Sequence, residues 1–142
     1  MGVETNAKQL ADSWLKMAKS VEPEMRSATL EATRALWAVA KLEMRRGIYD
    51  KPVPTRKSGK PQWRRTGNLR RSERYRMLSP YVGIVSNDAA YSKARHDMQN
   101  TRFPAQWRTD AIAKSETMRR GIYTRRIRNL IAAGRIRGVK LT

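Results

Sequence analysis

The sequence predicts an α+β domain in which long N-terminal helices and C-terminal helices flank a small antiparallel β-hairpin. Three observations carry that prediction. Apolar residues recur at helical spacing over residues 1–50, alternation around a Ser79-Pro80 pair reads as a hairpin, and helical spacing returns after Pro104. With 142 residues the chain can bury one core, so 1–142 is read as a single domain.

The elements follow in order. Residues 6–19 place Leu10, Trp14 and Met17 at helical spacing, which predicts a short amphipathic helix. A longer helix is expected over 23–46, because Pro23 suits a first turn and Glu22 and Glu24 favour the positive end of the dipole. Met25, Ala28, Ala32, Ala35, Val39 and Leu42 form its apolar stripe. Its stop is expected at Gly47 in a left-handed conformation, with Arg45 and Arg46 complementing the negative terminus and Ile48 folding back on Leu42. Pro52 and Pro54 bar continuation.

Residues 51–65, "KPVPTRKSGKPQWRR", read as an extended basic loop with little to bury apart from Trp63. Region 66–86 is the hairpin, with Tyr75 and Met77 or Leu78 on one side, then Tyr81, Val82, Ile84 and Val85 after the turn. Region 87–142 is basic and helical. A short helix capped by Asn87 or Asp88 comes first, then one with Pro104 in its first turn that runs through Trp107, Ala111, Ile112 and Met118. Tyr123, Ile127, Leu130 and Ile131 continue a helical pattern up to Gly134.

The hexapeptide MRRGIY occurs at 44–49 and again at 118–123, following Ala-Val-Ala-Lys and Ala-Ile-Ala-Lys. The copies lie 74 positions apart and their other flanks differ, which argues against a duplicated unit. We read the first copy as a helix stop and the second as a bend bearing basic side chains.

The net charge of +19 is unevenly placed. Residues 1–50 hold eight Lys or Arg against seven Asp or Glu, so residues 51–142 carry +18. Such a field favours polyanions, whether nucleic acid or an acidic protein surface. No cysteine is present, which excludes disulfides, zinc-thiolate sites and a thiol nucleophile. No apolar run reaches the roughly 20 residues that span a bilayer, and no signal h-region opens the chain, so a soluble protein made in a cytoplasm is expected.

Catalytic chemistry was sought residue by residue. His96 follows Ser92 by one helical turn and precedes Asp97, but neighbours on one helix do not converge as a nucleophile, base and acid must. The twelve carboxylates are scattered and the glycines form no phosphate cradle. The expectation is a protein that is not an enzyme and takes no cofactor or metal.

Basic residues are the remaining functional signal. Between 51 and 76 there are ten Lys or Arg against one acid, with Trp63 and Tyr75 interleaved; these aromatics would either stack on bases or anchor the segment on the core. Lys57, Lys60, Arg64 and Arg71 are contact candidates here, and Arg119, Arg120, Arg125, Arg126 and Arg128 near the C-terminus. The latter segment resembles a winged-helix DNA reader, with 111–116 as first helix, 122–133 as reading helix and 135–141 as wing. The alternatives are an amphipathic helix whose arginines are solvated or dock on a partner, and a non-specific basic nucleic-acid-binding protein.

One resemblance covers roughly 22–130. The order "WRRTGNLRRS", the hairpin, "YSKARHDM" and a helix after "FPAQW" resembles the small neck and tail-completion proteins of tailed bacteriophages, the gene-10-like family of lambdoid phages and its minor-capsid relatives. Their R-T-G-x-L-R-x-S signature falls on Arg65, Thr66, Gly67, Leu69, Arg70 and Ser72, and their later Tyr and His element on Tyr91 and His96. Ser92 stands where Ala is usual, and Asp97 departs from the common Glu-Phe-Gly-Thr continuation. The resemblance implies a virion structural protein of the head-tail junction without enzymatic activity. It would form a ring of its own copies, dock on portal, adaptor, stopper or tail proteins, and touch packaged DNA only transiently. Residues themselves add that Thr66-Gly67 suits a tight turn and Leu69 starts the burial that anchors the sheet. The loop 51–65 would then order on a neighbouring subunit.

Overall fold

A computed structural model describes residues 2–53, 55–61, 67–89 and 106–136, with side chains from residue 6 onward. The expected features at Trp63, Arg64, Arg65, Thr66, Tyr91, Ser92, His96, Asp97 and Pro104, and the wing beyond 136, lie outside the described residues.

The α+β architecture is as predicted, but its helices are longer and fewer. Helix α1 spans Gly2–Met44 without a break, joining the two expected helices, and Pro23 sits inside it. Proline there removes one helical N–H, but the position is exposed, so water satisfies the freed carbonyl. The apolar steps of three and four residues run uninterrupted through Val21, Met25 and Ala28, and that continuity outweighs one missing hydrogen bond.

Gly47 does not end the helix as expected. Arg45–Tyr49 form a π-helical turn closed by the Asp50 N–H donating to the Arg45 carbonyl at 2.8 Å. Gly47 is not left-handed; among the described residues only Gly59, Gly67 and Gly134 have positive φ. The wider turn carries Ile48 and Tyr49 onto Met44 and Leu69, while Leu42, the expected partner of Ile48, is exposed. Arg45 pairs with Asp50 and Arg46 with Glu43, so these side chains bond within the turn region.

The expected extended loop is folded in part. Thr55 bridges Pro61, the Arg56 N–H donates to Lys60, and Gly59 takes φ 79° in a tight turn. A single helical turn, α2 (Asn68–Arg71), then leads into β1 (Glu73–Ser79) and β2 (Val82–Asn87), which pair antiparallel with an irregularity between Met77 and Ser79. Asn87 belongs to β2 and caps no helix; its amide donates to the Leu69 carbonyl at 2.7 Å and to Glu73 at 2.6 Å.

Helix α3 spans Trp107–Ala132 and passes straight through Gly121. The expected bend in the second MRRGIY is absent, because an exposed glycine inside a helix costs only about 1 kcal/mol and flanking residues that pack on α1 supply more. With no turn there, residues 111–133 are not a helix-turn-helix.

Helices α1 and α3 lie antiparallel, since Lys114 meets Glu43, Arg125 meets Glu31 and Arg126 meets Glu24. Ala28, Ala32 and Ile122 form one buried cluster; Ala40, Met44, Leu69, Ala89, Trp107 and Ala111 form another. Alanines let the helix axes approach closely, and Trp107, 1% exposed, fills the wider end. The hairpin covers the opposite side of α1 at Thr33, Arg34 and Trp37. Trp37 donates its indole N–H to the Glu73 carbonyl at 3.0 Å, and Arg34 donates to the Tyr75 hydroxyl at 2.9 Å.

Candidate functional site

The signature residues within the described chain form a built junction. Gly67 has φ 74° and opens α2; a Cβ there would stand 3.0 Å from the Arg71 guanidinium. Leu69 is buried, as expected, in the cluster with Met44 and Trp107. The Arg70 backbone N–H, one of the orphan donors of a helix start, donates to the Tyr49 hydroxyl at 3.1 Å. Ser72 accepts at its carbonyl from the Asp88 N–H, and its hydroxyl lies 3.4 Å from Asn68 Oδ1. The motif thus locks a turn between the first MRRGIY and the hairpin, while the Arg70 and Arg71 side chains remain exposed.

Beneath it lies a buried polar cluster that sequence reasoning missed. Glu73, 2% exposed, accepts from Asn87, and the Arg108 guanidinium stands 3.9 Å away. A carboxylate withdrawn from water needs such partners to remain charged. No local signal could reveal it, because Glu73, Asn87 and Arg108 come from three separate elements.

The five arginines near the C-terminus divide. Arg119 donates to the Ser115 hydroxyl and the Ile112 carbonyl, and Arg120 pairs with Glu116 along α3. Arg125 and Arg126 bridge to α1 through Glu31 and Glu24. Their hydrogen bond and charge act on Glu31: the Arg125 contact holds its carboxyl below the ordinary glutamate range, burial opposes this, and Arg126 adds to it. These partly exposed pairs stabilise by only about 0–1 kcal/mol each, so they set register while apolar burial holds the helices together. Arg128, like Lys57 and Lys60, is exposed on the surface.

Tyr75 takes the anchoring role. Its ring lies 5.1 Å from Trp37, flanked by the Arg34 guanidinium at 5.7 Å, and Lys41 covers the other side of the cluster at 4.6 Å from Trp37. The two MRRGIY copies likewise share a packing role: Ile48 and Tyr49 close on Met44, whereas Ile122 and Tyr123 close on Ala28 and Ala32. The Tyr123 hydroxyl donates to Thr29 Oγ1 at 3.0 Å.

Two apolar surfaces remain uncovered. Leu10 and Trp14, each 60% exposed, continue the stripe that α3 covers farther along α1, with Met17 and Val21 half-buried between. By helical spacing this stripe is bordered by Ala7, Ala11 and Ala18 on one side and Asn6, Ser13 and Ser20 on the other; Lys8, Asp12, Lys16 and Lys19 lie opposite. Leu15, off the stripe, is also exposed. The second surface is the hairpin tip, where Leu78, Tyr81 and Val82 are about half exposed. The sequence marks both sets as apolar but not as unpartnered, since that depends on where α3 ends and where the hairpin lies.

Among the described residues no three His, Cys, Asp or Glu side chains gather as a metal site, and no helix is long and apolar enough to cross a membrane. Comparison with protein-family models, curated proteins and solved structures finds no significant match.

Proposed function

We propose that this chain is a structural protein of a tailed-bacteriophage virion, a ring-forming component of the head-tail junction that works by docking on copies of itself and on neck or tail neighbours. The observation that carries the reading is the uncovered, uncharged face of the projecting end of α1, beside a body whose Gly67, Leu69, Arg70 and Ser72 lock one turn in place. A helix face with large apolar side chains and small borders fits a protein surface and offers a polyanion nothing to pair with. The resemblance of the signature region to phage neck proteins supplies the setting.

Electron microscopy and peptide mass analysis of purified particles test the proposal. The polypeptide should be found in intact virions at a fixed copy number, and its absence from them would refute the reading.

A second reading, a non-specific nucleic-acid binder, is favoured by exposed Lys57, Lys60 and Arg128 in a chain of net charge +19. It expects duplex binding of any sequence that is lost steeply as salt rises. The continuous α3 removes the geometric basis for a sequence-specific helix-turn-helix reader.

A further inference from the structure

We infer that the uncovered stripe on the projecting end of α1 docks on the hairpin tip of a second copy of this chain, in a head-to-tail contact. The inference rests on the assembly reading above and names the surfaces that would make it.

Direction comes first. The steps from Leu10 through Trp14, Met17 and Val21 to Ala28, Ala32 and Ala35 are threes, fours and a seven, so the uncovered stripe lies on the side of α1 that α3 occupies. The hairpin lies on the other side, with Gly83 against Thr33 and Tyr75 against Arg34. The two apolar surfaces therefore face apart on one molecule. Neither can cover the other within a chain, and two different surfaces facing apart generate a heterologous contact that leads from copy to copy.

Charge selects the occupant. Residues 1–25 hold three basic and four acidic residues, a net charge of −1, which leaves +20 on residues 26–142. Two bodies of this kind repel, whereas the near-neutral end of α1 approaches a basic body without that penalty. The hairpin offers the matching base: Arg74 and Arg76 are exposed below Leu78, Tyr81 and Val82. Length also agrees. Residues 6–21 extend about 24 Å as helix, and the seven residues of β1 extend about 23 Å as strand.

The test uses the full chain and two variants altered only at exposed positions. One carries Leu10→Gln and Trp14→Gln, residues that keep helix propensity; the other carries Leu78→Thr and Val82→Thr, which keep strand propensity. Circular dichroism checks that each retains the wild-type fold. In sedimentation velocity the wild type should self-associate, and each variant alone should do so at least about tenfold more weakly. Mixed together, the variants should form a 1:1 dimer, because the mixture contains one intact contact per pair.

Three results overturn the inference. Undiminished association of the helix variant would mean that the stripe is not the contact. Association retained by the hairpin variant but lost by the helix variant, with no dimer on mixing, would show helix-to-helix pairing or another occupant. A wild type that stays monomeric at every concentration would remove the contact altogether. The assembly reading is judged separately, by the presence of the polypeptide in virions, so the two can fail independently.

Discussion

Replacing Gly83 with alanine tests the contact between the hairpin and α1. A Cβ at Gly83 would overlap Oγ1 of Thr33 and stand 2.9 Å from both its Cβ and its methyl, below any distance that real carbon contacts keep. Thr33 cannot turn aside freely, because its hydroxyl donates to the Thr29 carbonyl at 2.6 Å in a buried setting. Overpacking of this kind costs about 1–3 kcal/mol, and losing the hydroxyl bond adds about 1 kcal/mol. Against this stands the gain of about 0.5–1 kcal/mol from removing a glycine inside a strand. The expected net effect of Gly83→Ala is a destabilisation of about 1–3 kcal/mol. Urea unfolding followed by tryptophan fluorescence measures it, and Thr33→Ala in the same chain should recover part of the loss by removing the hydroxyl and methyl. If Gly83→Ala proves neutral or stabilising, β2 does not rest on Thr33 and the placement of the hairpin is wrong.

Two further outcomes follow from the helices. Gly121→Ala should stabilise the protein by about 0.5–1 kcal/mol, since nothing lies within 4 Å of its Cβ position and α3 is continuous there. A thermal melt reads the sign, and a lower midpoint would restore the bend. Acid should weaken the α1–α3 pairing through Glu31, whose folded-state pKa is depressed. Its contribution is present above the ordinary glutamate value of about 4.3 and is lost as pH falls through the lower folded value. The stability gap between wild type and Glu31→Gln should therefore narrow with acidification below that range; a gap independent of pH would rule out the linkage.

What was legible in the sequence is what repeats at a short period. The stripe of α1, the alternation of β1 and β2 and the burial of Leu69 were all visible because each depends on near neighbours. Pro23, Gly47 and Gly121 misled because local propensity is weak beside packing: each was read as a boundary, and each lies inside a helical segment. The partners of the arginines were hidden for a different reason. Arg125 and Arg126 look like solvated charge until α3 folds back on Glu24 and Glu31, nearly a hundred residues away, with separations of 94 and 102. The signature was legible as a pattern, but its tie to Tyr49 needs the π-helical turn, which no residue type announces.

That turn fixes how the chain tolerates change in residue count. Arg45–Tyr49 accommodate one residue more than an ordinary helical turn would, and Tyr49 reaches Arg70 only because of it. Removing a single residue there would swing the phenol by about 100° around the axis. Side-chain replacements at Arg45 or Arg46 leave that angle intact. Insertions and deletions should thus be far more damaging between 45 and 49 than substitutions, and natural length variation should fall elsewhere.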